Sequence, residues 1–499
     1  MSRAKALKLN MLSGWLLEFV TFLSGLILPR LILTAFGSSC NGMVGAISQF
    51  LGFSAVLRAG VGGVTRAALF KPLAEHNEEG VSAIMAATQK YMQKIGLIIA
   101  AYIVVLGGVY CLVMKGEFDW WYKFAMLLII GTGTFADNFF GIRYKILLQA
   151  DQKYYVQTMT AVISSTVAAV VSVVLILLDF PLLVVKIGST CAVLLNPLLL
   201  SVYVKKHYCL NSRVKADNSA IKQRWDAFVQ QLAIILNQNV DLVLLTFFVP
   251  LKEISVYTVH YMVSGNIQTI VSSMVSGLNA TFGSLLANHE DEHLKKMFHV
   301  VEWGLFSACI IIFSTTAVML TPFVEVYTQS VTDVNYIRPL FAFAMTFVAM
   351  MNCMRLPYQL LTEAAGHFKQ TRNGSVLEVV LNIVVSLVML YFFGIIGVII
   401  GTFVAALVRT TQFAVHAMKH ILKLPVITLI KSYGLAMATF LLIVGIFRIF
   451  PIPMGLSILS WVLYAALVFV VSMAITGLVG LIFHKERLSG LKPYILKKK

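Results

Sequence analysis

The chain has 499 residues, of which 59% are hydrophobic and only 12% are charged, whereas an ordinary soluble domain is about 45–50% apolar and about 25% charged. So few charges cannot cover the exterior of a soluble protein of this length, which excludes a soluble enzyme. The net charge of +17 does not indicate nucleic-acid binding, because the basic residues form short clusters between apolar runs. The composition therefore predicts an integral membrane protein without a nucleic-acid partner.

Long apolar segments recur along the whole chain, and each is long enough to cross about 30 Å of hydrocarbon as a helix. Their apolar residues are continuous, which is typical of an all-α membrane protein. We predict fourteen spans, at residues 11–36, 43–70, 95–114, 122–148, 155–178, 181–204, 227–249, 255–287, 300–322, 338–363, 375–393, 395–417, 432–450 and 456–483.

A basic and polar connection after the sixth span divides these helices into two groups of six and a final pair. The predicted units are an N-terminal lobe, a cytoplasmic linker, a C-terminal lobe, and two extra helices with a basic tail, at residues 1–207, 208–226, 227–420 and 421–499. An offset of 212 residues superposes the first two spans on the seventh and eighth, with Thr34 on Thr246 and Phe36 on Phe248. The division and the offset together predict two lobes related by an internal repeat, as in many transporters.

The distribution of lysine and arginine gives the orientation. If the N-terminus is cytoplasmic, the cytoplasmic segments hold 28 of the 39 basic residues, the external connections hold 5, and the remaining 6 lie within spans. Cytoplasmic loops of membrane proteins carry the excess of basic residues. We therefore predict a multi-pass membrane protein with both termini in the cytoplasm.

Several arginines lie within the predicted spans or at their edges, where an ionisable side chain costs a few kcal/mol and needs a reason. Arg30 and Arg58 lie deepest, and we predict that both bind substrate. Four others lie in the cytoplasmic halves of their helices, where they either reach the headgroups or contribute to the same site: Arg66, Arg143, Arg355 and Arg409.

The seventh span is the most polar of the fourteen. Gln230, Asn237 and Asp241 are spaced by seven and four residues, so they share one helical face, which Gln238 extends. A polar stripe in a membrane helix pairs with polar partners or lines water. We predict substrate contacts for Asn237 and Gln238, and an ion-coupling or lumen-facing role for Asp241.

Other acidic residues within the spans are candidates for ion coupling. Asp137 in the fourth span and Glu18 in the first are included with Asp241. Glu18, however, shares with Glu302 and Glu378 a position near a cytoplasmic end, where a carboxylate is expected to be solvated.

The sign of the intramembrane charge indicates the substrate. A lumen rich in arginine and poor in acids suits an anionic ligand, because a guanidinium group pairs bidentately with phosphate oxygens and stays charged in a low dielectric. An exporter of organic cations is expected to show the reverse. The simplest prediction is a substrate that carries phosphate.

Three stretches of sequence are similar to a known family. They are LPRLILTAFGSSCNGMVGAISQFLGF at 28–53, ILLQADQKYYVQ at 146–157, and LPYQLLTEAAGHFKQTRNGSVLEVVLNIVVS at 356–386 followed by GIIGVIIGTFVAALVRT at 394–410. With these stretches the chain resembles the polysaccharide-transporter (Wzx-type O-antigen flippase) family. That family belongs to the multidrug/oligosaccharidyl-lipid/polysaccharide (MOP) exporter superfamily, which also includes multidrug exporters and lipid II flippases.

The resemblance implies two six-helix bundles around a central cavity that work by alternating access. It implies a flippase of the bacterial inner (cytoplasmic) membrane. This flippase moves undecaprenyl-pyrophosphate-linked oligosaccharide units, for O-antigen, capsule or other polysaccharide, from the cytoplasmic to the outer leaflet. Arg30 and Arg58 correspond by position to the family's cavity arginines. The implied partners are membrane lipids, a proton or sodium gradient, and the polysaccharide polymerase and glycosyltransferases of the same pathway.

Alternatives within the superfamily are a lipid II flippase and a small-molecule exporter. A membrane-embedded polysaccharide enzyme is a third alternative, disfavoured because the chain has no large external loop and no paired-acid motif. The sequence contains neither a phosphate-binding GxxxxGK[ST] motif nor a zinc-ligand spacing. It therefore predicts no catalytic residue, no cofactor and no metal.

Overall fold

The computed structural model describes residues 3–58, 61–75, 77–113, 118–210, 239–275 and 278–483. Every regular element in this part of the chain is helical. The helices are α1 (Arg3–Gly52), α2 (Ser54–Arg58), α3 (Val61–Ala74), α4 (Glu78–Val113), α5 (Trp120–Ala136), α6 (Ile142–Ala150), α7 (Tyr154–Leu177), α8 (Leu182–Val193), α9 (Leu195–His207), α10 (Asn239–Phe248), α11 (Leu251–Val275), α12 (Leu278–Ala287), α13 (Asp291–Tyr327), α14 (Pro339–Met354), α15 (Leu356–Ala364), α16 (Phe368–Phe393), α17 (Ile395–His416), α18 (Val426–Ile449) and α19 (Ile458–Phe483). Two π-helical turns, Asp137–Gly141 and Ala417–Leu422, follow α5 and α17.

Eleven helical segments of the described chain are long and apolar enough to cross a membrane. The first of them, Leu9–Val56, holds the first predicted span and the start of the second, which continues through α3. The helix is broken between these two spans at Gly37, which has a φ of 81°. The predicted seventh span corresponds to α10 as far as it is described, and the eighth to α11 and α12. Each of the fourteen predicted spans thus has a helical counterpart, and the prediction of an all-α membrane protein is confirmed.

Several of the predicted spans are interrupted along their length. The sixth is divided at Leu194 and the tenth at Arg355, and in each case a proline, Pro197 or Pro357, lies in the first turn of the helix that follows. Proline is tolerated there because the first amide groups of a helix have no intrahelical acceptor. The π-helical turn Asp137–Gly141 interrupts the fourth span, and such turns are frequent at functional sites.

The chain forms two compact units, Met1–Ser255 and Val256–Lys499. The division falls later in the sequence than the predicted linker 208–226, of which only residues 208–210 are described. Helix α10 and the start of α11 belong to the first unit, and α11 begins against α1. The Asn41 side chain donates a hydrogen bond to the Ser255 hydroxyl at 2.8 Å, and Gly42 lies against the backbone of Leu251.

Each unit has its own apolar core. The first contains Leu69, Leu147 and Leu200, from α3, α6 and α9. The second is larger and includes Phe313 of α13 and Phe440 of α18. The two C-terminal helices are part of that unit, because the Trp461 indole donates to the carbonyl of Met319 at 3.1 Å. The cores hold the spans in fixed positions, which determines where their polar side chains meet.

Candidate functional site

One polar residue of ILLQADQKYYVQ, Gln149, contacts an arginine in the first unit. This stretch ends α6, turns through Gln152 with a φ of 57° and begins α7. The Gln149 side chain accepts a hydrogen bond from Arg66 of α3 at 3.2 Å and donates one to Gln157 of α7 at 2.9 Å. Gln157 of α7 therefore orients the Gln149 amide, which in turn contacts the exposed guanidinium group of Arg66.

The same stretch also holds the end of the sixth span. The Tyr208 hydroxyl donates to the Asp151 carboxylate at 2.5 Å, and the Lys153 ammonium group lies 2.7 Å from the same carboxylate oxygen. Burial and the hydrogen bond to Asp151 raise the pKa of the Tyr208 phenol. The phenol therefore stays protonated through the neutral range. Its hydrogen bond to Asp151 holds the segment after α9 against the turn between α6 and α7.

We expect Tyr208→Phe to lower the free energy of unfolding by about 1.5 kcal/mol, the contribution of a hydrogen bond to a charged group. The loss is expected in full below the ordinary phenol pKa of about 10 and to shrink as pH rises above it, because the raised pKa stabilises only the protonated form. Denaturant unfolding in detergent measures it. Tyr154→Phe, at an exposed position of α7, is the control, and equal stabilities of the two variants would contradict the prediction.

The other arginines predicted from the first unit lie on separate helices. Arg30 is half-buried in α1. The guanidinium group of Arg143 lies 4.4 Å from the centre of the Tyr144 ring and donates to its hydroxyl at 2.6 Å. Its Nε is buried and has no hydrogen-bond partner among the described residues. Arg58 is the last residue of α2, and its side chain is outside the described part of the structure.

The predicted ion-coupling residues have different surroundings. Asp137 begins the π-helical turn and forms an ion pair of 2.5 Å with Lys145, which is also largely buried. Glu18 is exposed on α1, and Asp241 is half-buried in α10. Asn237 and Gln238, the predicted substrate contacts of the seventh span, lie outside the described residues. For all of these side chains the functional assignment stays a prediction.

Arg355 and Arg409 meet at one acidic residue in the second unit. Glu378 of α16 accepts from Nη1 of Arg355 at 2.7 Å, and its second oxygen lies 3.5 Å from Nε of Arg409. Arg409 also donates to the Thr371 carbonyl at 2.8 Å and to the Ser375 hydroxyl at 2.6 Å. These contacts join α16 and α17 to the break between α14 and α15, and they occupy the guanidinium group of Arg409 with protein partners.

The expectation that Glu302 and Glu378 are solvated is wrong. Glu378 is 8% exposed and Glu302 is 1% exposed. The Glu302 carboxylate accepts a hydrogen bond from the Tyr358 hydroxyl, and Nδ1 of His299 lies 3.6 Å from its other oxygen. The position of each glutamate along its helix predicted how far it lies from the helix end. It did not predict which neighbouring helices cover the side chain. No signal in the sequence indicated this burial, because Tyr358 lies 56 residues from Glu302 and Arg355 lies 23 residues from Glu378.

Glycines allow the helices around this cluster to approach closely. A Cβ atom built at Gly397 would lie 2.1 Å from the backbone carbonyl of Met389, and one built at Gly401 would lie 2.0 Å from the Ser386 hydroxyl. Both glycines belong to the motif GIIGVIIGTFVAALVRT. Small residues at a membrane helix interface let backbones approach, and here they place α17 and its Arg409 against α16. In the part of the chain that the structure describes, no group of three or more His, Cys, Asp or Glu side chains is arranged to hold a metal ion.

No protein-family model matches the chain, and no curated protein matches it. Among solved structures, it is similar to the lipid II flippase MurJ in an inward closed conformation, with a TM-score of 0.70 and 14% identity, over 96% of this chain and 99% of that chain. It is also similar to an inward-facing multidrug resistance MATE family transporter of the MOP superfamily, with a TM-score of 0.60 and 16% identity, over 81% and 95% of the two chains. A third is the MATE multidrug transporter DinF-BH, with a TM-score of 0.56 and 17% identity, over 85% and 98%.

At these identities the likeness defines the fold, which is that of multi-pass membrane transporters and flippases. The solved structures that share it include members of the MOP superfamily, the superfamily that the sequence motifs resemble. One fold can serve several substrates, so the side chains of the site decide which substrate is bound.

Proposed function

We propose that this protein is a flippase that moves undecaprenyl-pyrophosphate-linked oligosaccharide repeat units from the inner to the outer leaflet of the bacterial cytoplasmic membrane. The supporting observation is the fold, which is shared with a lipid II flippase over nearly the whole length of both chains. The likeness to the multidrug transporter covers less of this chain, with a lower TM-score. Transport is by alternating access, and both termini are cytoplasmic.

The excess of arginine over acidic residues in the predicted spans supports an anionic headgroup as the substrate. Arg30, Arg58, Arg66 and Arg143 are the proposed contacts for pyrophosphate, since guanidinium groups bind phosphate oxygens bidentately. The exposed guanidinium of Arg66 has donors available for such a ligand, and the buried Nε of Arg143 has no hydrogen-bond partner among the described residues. Asn237 and Gln238 are proposed to contact sugar. The contacts of Arg409 favour a structural role, so it is left out of the proposed set, and Arg355 is kept only as a secondary contact.

A proton or sodium gradient is proposed to drive the cycle, with Asp241, Asp137 and Glu18 as candidate coupling groups. Movement of one charge through 100 mV is worth roughly 2.3 kcal/mol, so the membrane potential also contributes to the transfer of an anionic substrate. The partners are the lipid-linked substrate, the surrounding lipids and the enzymes that make and polymerise the repeat unit.

Surface-glycan and lipid-linked-intermediate analysis in the host tests this function. We expect a deletion strain to lose surface polymer and to accumulate undecaprenyl-linked repeat units on the cytoplasmic side. Arg30→Ala and Arg58→Ala are expected to reproduce both effects at normal protein levels, because each removes a deep positive charge. Arg448→Ala is the matched control, since that arginine is exposed in the last turn of α18.

Other outcomes identify the alternatives. Unchanged glycan in the deletion strain would overturn the proposal. Rescue of a strain that lacks its essential lipid II flippase would then support lipid II as the substrate, and a changed resistance profile would support a small-molecule exporter.

A further inference from the structure

Three histidines lie together at one end of the second unit. His367 occupies the turn between α15 and α16, His416 is the last residue of α17, and His420 follows one turn later in the π-helical turn Ala417–Leu422. Nδ1 of His367 lies 3.0 Å from Nε2 of His416, and the ring centres of His416 and His420 are 4.9 Å apart. The predicted orientation places all three at the cytoplasmic side.

The contact between His367 and His416 depends on the protonation of both rings. A neutral imidazole has one donor and one acceptor nitrogen, whereas an imidazolium ion donates from both. The hydrogen bond therefore forms between two neutral rings, or between one charged and one neutral ring. When both rings are charged, two N–H groups face each other and the bond is replaced by repulsion. The pair is thus held together only while it carries at most one extra proton.

Protons reach the pair directly from water. His367 and His416 are half-buried and His420 is exposed. A histidine side chain changes its charge between about pH 5 and pH 8. The pair therefore responds to the solution on its own side of the membrane and needs no proton path through the apolar interior.

Like charges on the neighbouring rings oppose a second proton. Among the described residues, His367 and His420 carry the charges that act most on His416, and each repels a charge on it. The acid of α15, Glu363, accepts a hydrogen bond from Gln359 at 2.8 Å. The charged and titratable residues of the elements packed around the pair are His299, Glu302, Glu363, Arg372, Glu378, Arg409, Lys419, Lys423 and Lys431. Loss of the contact is therefore expected on the acidic side of neutrality.

The residue His367 is bound to two helices through its backbone. The preceding Gly366 has a φ of 71°, and the amides of Gly366 and His367 donate to the carbonyls of Glu363 and Thr362 at 3.0 and 3.1 Å. The His367 carbonyl accepts from the Thr371 hydroxyl of α16 at 3.1 Å. A displacement of His367 therefore displaces the junction of α15 and α16.

The histidine contact extends the interface of α16 and α17 to its end. One turn before His416, Gln412 lies so close to Gly374 that a Cβ atom there would overlap its side chain. Gln412 also accepts from Nη1 of Arg409 at 2.5 Å, and Arg409 is paired with Glu378. None of these contacts contains a histidine. Loss of the histidine contact would therefore open only the end of this interface and leave its interior held.

We propose that His367 and His416 form a pH-sensitive contact, which holds the turn between α15 and α16 against the end of α17 until both rings are protonated and then releases it. The opening is local, because the contacts of Gln412 and Arg409 do not titrate with the pair. Regulation of transport by this opening rests on the proposed function, whereas the opening itself does not.

Electron paramagnetic resonance of the full-length protein in lipid nanodiscs tests the contact without any transport substrate. Spin labels at Gln370 of α16 and Lys419 of the π-helical turn, both exposed, are introduced in a background without the native cysteines. We expect dipolar broadening between the labels at pH 8 and a loss of about half of it at pH 5, the range over which histidine titrates.

Variants with amide side chains separate the pair from other titrating groups. His367→Asn and His416→Gln each replace one ring by an amide that can donate or accept and has no charge. Both are expected to keep the broadening at either pH. His420→Gln should keep the response but move its midpoint to higher pH by about half a unit, because one repelling charge is gone. His293→Gln, at an exposed position of α13, is the control and should respond as the parent does.

Two results would overturn the proposal. One is a parent protein whose broadening is the same at pH 8 and pH 5. The other is a full acid response in His367→Asn and His416→Gln. If one of these variants does not fold, the other serves alone, since either removes one of the two charges. If neither folds, an unchanged midpoint in His420→Gln is the contrary result. An acid response as expected in a protein without any glycan phenotype would keep the pH-sensitive contact and reject the proposed function.

Discussion

Replacement of Glu378 with glutamine is expected to lower the free energy of unfolding by about 3–5 kcal/mol, the usual cost of removing one partner from a buried ion pair. Its two oxygens contact Arg355 and Arg409, whose side chains are only 16% and 8% exposed. Glutamine keeps the size of the side chain but removes the negative charge, so two buried guanidinium groups lose their counterion. Denaturant unfolding of the purified protein in detergent measures the change.

Glu325→Gln is the matched control, since it makes the same substitution in the same unit where the partner is a neutral amide. A smaller loss is expected there, about 1 kcal/mol. Arg355→Gln and the double variant complete a cycle, in which the double variant should lose less than the sum of the single variants because the pair is coupled. Additive losses, or a Glu378→Gln variant as stable as the parent, would show that the cluster does not hold α15, α16 and α17 together.

Gly42→Ala is expected to lower stability by about 1–3 kcal/mol, the range for overpacking a tightly packed site. A Cβ atom at this position would lie 1.9 Å from the carbonyl oxygen of Leu251 and 3.2 Å from the amide nitrogen of Ser255. Both are backbone atoms, so no side-chain rotation can relieve the overlap, and α1 must move away from the start of α11. Thermal unfolding in detergent measures the loss.

A disulfide cross-link between α1 and the start of α11 measures their separation directly. Cysteines placed at Asn41 and Ser255, whose side chains are 2.8 Å apart, are expected to form a disulfide in a background without the native cysteines. Gly42→Ala should reduce the yield several-fold, whereas Gly25→Ala in the same helix should not, because nothing lies within 4 Å of its added Cβ atom. Equal yields in the two variants would contradict the close approach of α1 and the start of α11.

The membrane spans follow from the sequence because they depend on local composition. A run of about 20 apolar residues is a sufficient signal for a spanning helix, and each of the fourteen predicted segments has a helical counterpart. The positions at which the spans are interrupted were harder to predict from the sequence. The interruption at Arg355 is followed by Pro357, which indicates a break in the helix. The π-helical turn Asp137–Gly141 contains no proline that would indicate it.

The roles of the ionisable residues were harder to predict, and the C-terminal cluster shows why. The sequence placed Arg355, Arg409 and Glu378 in spans, and it assigned the arginines to substrate and the acid to solvent. The structure brings all three together. They are separated by more than twenty residues along the chain, and only the packing of α16 against α17 decides that they meet.

The sequence by itself determined that this is a helical membrane protein and where its helices lie, since both depend on the transfer of individual residues out of water. Tertiary structure alone decided which charges neutralise one another, as at Glu378, and which acid is covered by neighbouring helices, as at Glu302. The physical reason is distance, because the energy of a buried charge is set by neighbours within a few ångströms, and those neighbours come from other helices.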